Sequence, residues 1–203
     1  MYVSEVAFWT HRALWQLLFS GKFDKFPGLK YCVVECGSWW VGDLLWKADV
    51  NFGASWKIKK MSSRMKGLLT KLPSEYFGDS VFIGASTMSR YEIRERHRNG
   101  IDALMWGTDY PHPEGSWPNT VHRLENDFQD VSIEDTRRLL GLNAIECYDL
   151  DVEGLTTVAN RVGPTPEKLN QDPSLRTSPT AKRDARWWFD EYGIEWSGPE
   201  SGL

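Results

Sequence analysis

Cysteine is scarce, with only Cys32, Cys36 and Cys147 among 203 residues. An odd number at these spacings matches neither a disulfide framework nor a zinc knuckle. Cys32 and Cys36 fall on one expected strand, where four residues separate them by roughly 13 Å, beyond the reach of a bridge. Buried free thiols in a reducing cytoplasm are expected instead. No run of about 18 apolar residues occurs, so no membrane span is expected. The opening MYVSEVAFWTHRALWQLL mixes charged and polar groups into its apolar stretch, and no secretory leader is expected. The net charge of −4 is mild and gives no reason to expect a nucleic-acid or membrane partner. H-x-H, H-E-x-x-H and C-x-x-C are missing, so no motif supplies a complete metal site. G-x-S-x-G, the Walker loop and G-x-G-x-x-G are missing too, as is any repeat of fixed period.

Tryptophan, by contrast, is abundant, with 11 residues. Its large apolar surface suits a core, a pocket or an interface. Residues 5–19 carry Val6, Thr10, Ala13, Leu14, Leu17 and Leu18 on one helical face, with Gly21 as a stop. Pro27-Gly28 makes a turn before the strand LKYCVVE (29–35). Helices are expected over 39–48 and 56–72. The second has an apolar stripe of Ile58, Met61, Met65, Leu68, Leu69 and Leu72, and its lysines read as a solvated face. SVFIGAS (80–86) is a second strand, and Ser89 with Glu92 forms a capping box for a helix to about Asn99. DALMWG (102–107) is a third strand, followed by a helix at about 118–128. Ser132 with Asp135, then Asn143 with Glu146, read as further helix caps. A last helix over 152–161 stops at Gly163-Pro164. The expected domain is therefore 1–163, with 164–203 a linker and aromatic tail (ARWWFDEYGIEW).

Strands alternating with helices argue for parallel βαβ units, whose right-handed crossovers bring all strand C-termini to one face. Reactive groups in such folds sit just past those ends. The residues there are Glu35, Ser86 and Asp109. A carboxylate in that place needs a cation or donors to offset desolvation. A metal ion is one partner for Asp109; a helix cap or an arginine is another. His112 follows on the same loop, as a substrate acid, a group behind the metal, or a loop histidine held between Pro111 and Pro113. His11, His97 and His122 read as structural or solvent-facing. Ser86 lacks an evident base for a nucleophilic role.

FSGKFDKFPGLKYCVVECGSWW (19–40), ALMWGTDYPHPEG (103–115) and the NA-x-x-x-Y element at Asn143, Ala144 and Tyr148 together resemble the amidohydrolase-related family. The branch is that of aminocarboxymuconate-semialdehyde decarboxylase and other aromatic-acid decarboxylases, and the resemblance covers roughly residues 8–169. It implies an α/β fold: part of a (β/α)8 TIM-type barrel, namely the last three βα units plus C-terminal helices. It also implies a divalent metal, zinc foremost, and hydrolysis of C–N bonds or removal of carboxylate from a small, aromatic or other, substrate. In the family the metal is held by an H-x-H or E-x-H pair after strand one, a His after strand five and an Asp after strand eight. Asp109 matches the last of these. Glu35 stands where the decarboxylases carry a catalytic His after strand six, a departure from the pattern. The site residues implied are thus Asp109 as metal ligand, with Glu35 and His112 beside it.

Nothing in the chain resembles strands one to five. A catalytic zinc normally takes three protein ligands and a water, so Asp109 alone does not hold one. The expectation is a fragment that binds no metal by itself, or a half barrel completed by a partner chain. That partner is either the missing N-terminal half or another copy. A non-catalytic remnant is the alternative. A half barrel leaves sheet edges open, which predicts oligomerisation or poor solubility.

Overall fold

A computed structural model describes residues 2–55 and 68–169. The chain opens with α1 (Tyr2–Leu18) and the short α2 (Lys22–Lys25), then β1 (Tyr31–Val34) and α3 (Val41–Ser55). A 3-10 turn at Pro73–Tyr76 leads into β2 (Val81–Gly84) and α4 (Arg90–Arg94). A second 3-10 turn, Ile101–Ala103, precedes β3 (Leu104–Met105). Then come α5 (Thr120–Phe128), α6 (Ile133–Arg137), a π-helical stretch (Arg138–Leu142), α7 (Asn143–Tyr148), α8 (Val152–Val162) and α9 (Pro166–Leu169). The strands form one parallel sheet in the order β1-β2-β3, with Cys32 opposite Phe82 and Gly84 opposite Met105. Among the described residues, β1 and β3 are both edges.

Alternation along the strands divides the sheet's two faces. Val33, Val81, Ile83 and Leu104 belong to the main core, with Leu14 and Leu18 of α1, Val41 and Leu45 of α3, and Phe128 and Leu139. Phe82 and Met105 face the other way, into a small cluster with Cys147, Cys32 and Ala144. α7 thus covers the lower part of the second face, while Val34 at the upper end of β1 is 53% exposed. Gly84 lies beneath it: a Cβ there would come within 2.9 Å of Val34 Cγ1.

Several expected boundaries are corrected. The helix expected over 56–72 falls outside the described residues as far as 67, and Leu68–Leu72 is not helical. Leu72 is extended (φ −63, ψ 148) because Pro73 follows it and disfavours the helical region. The helix opened by Ser89 ends at Arg94 rather than near Asn99, and 95–99 is turn. Conversely, the helix expected over 39–48 runs on to Ser55. Asn143 is not a cap. Backbone helicity continues through it, and its buried amide donates to Ile101 O and Leu104 O, both at 2.7 Å. That side chain ties α7 to the start of β3. Cys36 lies past the end of β1 instead of within it, and all three cysteines are free thiols. Beyond 163, α9 packs against α5 and α6, and Leu169 is buried. The aromatic tail lies outside the described residues.

Candidate active site

The three strand C-termini open on one cavity of about 460 Å³, lined by Glu35, Gly37, Trp39, Ser86, Thr87, Glu92, Asp109, His112 and Glu114. All three residues expected at the strand ends, Glu35, Ser86 and Asp109, are therefore brought together, and His112 with them. Each strand end has the same unusual backbone: φ is 57° at Glu35, 48° at Ser86 and 59° at Asp109. None is glycine, so each sits in the left-handed region at a cost of about 1–2 kcal/mol. Such strain persists where the surrounding structure over-determines it, and it clusters at functional sites.

The Asp109 loop closes on itself. His112 N–H donates to Asp109 O (2.8 Å), Gly115 N–H to His112 O (2.9 Å) and Ser116 N–H to Thr108 O (2.9 Å). Gly115 is required there, since a Cβ would lie 2.8–3.0 Å from the carbonyl oxygens of Thr108, Asp109 and His112. This folding turns His112 Nδ1 toward two carboxylates, 3.5 Å from Asp109 Oδ2 and 3.4 Å from Glu114 Oε1. One donor atom from each of Asp109, His112 and Glu114 falls within 4.8 Å of the others. Two carboxylate oxygens and an imidazole nitrogen suit a divalent ion such as zinc. Glu114 is the addition the sequence reading missed, although it lies only two residues beyond His112.

Glu92, a second omission, holds the cavity's opposite wall. One carboxylate oxygen accepts from Ser38 N–H (2.5 Å) and Ser38 Oγ (3.1 Å). The other accepts from Ser89 N–H (2.8 Å) and Ser89 Oγ (2.9 Å). The capping box at the start of α4 therefore also clamps the turn after Glu35. Trp40 holds the same turn from behind, its indole N–H donating to Cys36 O (2.9 Å). His11 lies against Trp40 with ring centroids 3.5 Å apart, and burial pushes its pKa down to about 4. Burial raises the Cys36 thiol to about 11, so it stays protonated at neutral pH and is no nucleophile.

A larger cavity, about 730 Å³, lies on the outside of α3 around Trp46. Its acids are already engaged: Asp43 with Arg98, Asp102 with Arg138, and Asp49 with Ser74 N–H. The strand-end cavity is the smaller of the two, yet among the described residues it collects three of the four left-handed non-glycine residues and the ligand-type cluster, and a shallower pocket beside it shares Glu35, Asp109 and His112.

A profile of the amidohydrolase family matches residues 8–150. The chain belongs to the amidohydrolase family. Among solved structures it is similar to 5-carboxyvanillate decarboxylase LigW from Sphingomonas paucimobilis, at 24% identity and a TM-score of 0.51 over 66% of this chain and 38% of that one. It is also similar to an amidohydrolase from Mycobacterium avium subsp. paratuberculosis K-10, at 23% identity and a TM-score of 0.48, over 64% of this chain and 31% of that one. The likeness to LigW is one of fold, and this family member spans well under half the length of either neighbour. No curated protein sequence matches the chain. The parallel α/β sheet agrees with part of an amidohydrolase barrel. Among the described residues no helix is long and apolar enough to cross a membrane.

Proposed function

We propose that this chain carries the acidic wall of the active site of a metal-dependent hydrolase or decarboxylase acting on a small molecule. The observation that carries the reading is the convergence of Glu35, Asp109 and His112 from β1 and the loop after β3 on one cavity. Asp109 would hold the ion with His112 and Glu114, a three-ligand group that replaces the expectation, made for Asp109 alone, of a chain that binds no metal by itself. When bound, a divalent metal, zinc foremost, supplies Lewis-acid polarisation and lowers the pKa of a coordinated water. Glu35, at the end of β1 and lining the same cavity, would take or return a proton at the substrate. The Glu92 clamp keeps its turn in register, and Trp39, 54% exposed, offers a flat apolar wall.

Among the described residues the edges of β1 and β3 are open, which favours a half barrel completed by a partner chain, either an N-terminal half or a second copy. The test is direct. The purified 203-residue chain is assayed for bound zinc and manganese, for mass by sedimentation, and against a panel of amides and aromatic acids. Metal at one ion per chain, self-association and turnover on addition of the completing half support the reading. A metal-free, monodisperse monomer inert in every combination refutes it.

A further inference from the structure

The accounting of hydrogen-bond donors at the end of β2 leaves a remainder. Ala85 N–H donates to Met105 O (2.9 Å), and Met88 N–H to Ser86 O (2.8 Å). Between them, the backbone N–H groups of Ser86 and Thr87 and both side-chain hydroxyls have no partner among the described residues. Both residues are half-buried and line the strand-end cavity. Neither hydroxyl is among the enclosed polar atoms, so these donors are open to cavity water or to an incoming acceptor. Ser86 is moreover held at φ 48°, a strain that glycine would relieve without loss of fold.

The surroundings say what these donors face. Glu35, Glu92, Asp109 and Glu114 line the same cavity, and all are acceptors when ionised. An acidic ligand is repelled by that wall unless donors compensate at the point where it settles. Hydrolysis of an amide leaves a carboxylate in the site, and decarboxylation begins with one, so both of these reactions need such a place. Donors fixed before the substrate arrives stabilise charge gathering on oxygen more than water does.

We propose that the Ser86–Thr87 turn is the carboxylate-oxygen subsite of this cavity. It receives the acid's oxygen through the two hydroxyls and the two free N–H groups. Ser86 and Thr87 are then substrate-contacting residues. This rests on the reading of the cavity as a metal-dependent site for a small molecule.

Benzoate is the probe, titrated into the full chain with zinc present and followed by calorimetry and by amide NMR. Zinc affinity is measured separately by competition with a chromogenic chelator. In the wild-type protein the amide resonances of residues 86 and 87 should move with benzoate. The double variant Ser86→Ala, Thr87→Val should bind benzoate roughly tenfold more weakly, the loss expected for hydrogen bonds to a charged group, with zinc affinity unchanged. Ser86→Gly, which removes one of the two hydroxyls, should weaken benzoate binding by less than the double variant while its Tm rises by roughly 2–4 °C, which separates loss of contact from loss of fold. If zinc binds but benzoate does not, or the double variant binds it as wild type does, or the two amides stay still, the subsite is wrong and the metal reading stands. If zinc itself fails to bind, the functional reading falls first and takes the subsite with it.

Discussion

Glu92→Ala is the perturbation that most sharply tests how the cavity is held. The side chain is 7% exposed, and its two oxygens accept four hydrogen bonds from Ser38 and Ser89. The hydroxyls of both serines can rotate to new partners, but the backbone N–H groups of Ser38 and Ser89 cannot. Each N–H left without an acceptor costs about 1–3 kcal/mol, less where cavity water reaches it. Ser89 Oγ still caps the backbone N–H of residue 92 in this variant, so the sum is that of the two N–H groups, about 2–4 kcal/mol allowing for water at the cavity rim. Urea denaturation followed by circular dichroism measures it. Ser89→Ala is the control, because it removes the cap hydroxyl and leaves the tie to Ser38; it should cost only about 1 kcal/mol. Glu92→Gln, with one oxygen replaced by an amino group, should fall between the two. If Glu92→Ala costs no more than Ser89→Ala, the tie across to the Glu35 turn contributes nothing and the clamp is only a helix cap.

Asn143→Ala should destabilise the chain by about 2–3 kcal/mol, since Ile101 O and Leu104 O each lose a buried donor; the same denaturation assay reports it. His11 makes stability depend on pH. Its pKa is lowered from 6.5 to about 4 in the folded chain, so the unfolded chain binds the proton first as pH falls. Stability should be complete above about pH 6.5 and decline toward pH 4, by at most about 3 kcal/mol, with His11→Phe flattening that part of the profile. An unchanged profile in His11→Phe would show that other groups set the acid limit.

Much of the architecture was legible because apolar, β-branched runs are short and bounded. YCVV and VFIG read as strands from composition, and the reactive positions followed from where those runs stop. The sequence pattern alone puts Asp109, Glu35 and His112 at one face, and they share a cavity. What escaped was long-range or conformational. The Ser89–Glu92 spacing announces a cap, but nothing local announces that the same carboxylate reaches Ser38, 54 positions away. Asn143 looked like a cap because Glu146 follows three residues later, whereas its amide is spent on the strand below. The left-handed backbone at Glu35, Ser86 and Asp109 had no signal, since glycine, the residue that marks such a conformation, is absent from all three. Beyond the early end of α4, Arg96 pairs with Asp135 at 2.7 Å, a contact no local pattern announces.

In the proposed function Asp109 holds a divalent ion together with His112 and Glu114. Calorimetric titration of zinc into the full chain, wild type beside Asp109→Asn, tests it most directly. One ion per chain in the wild type, with binding lost in Asp109→Asn and weakened in His112→Ala and Glu114→Gln, is the predicted result. Zinc binding that is absent in the wild type, or undiminished in Asp109→Asn, would contradict the account.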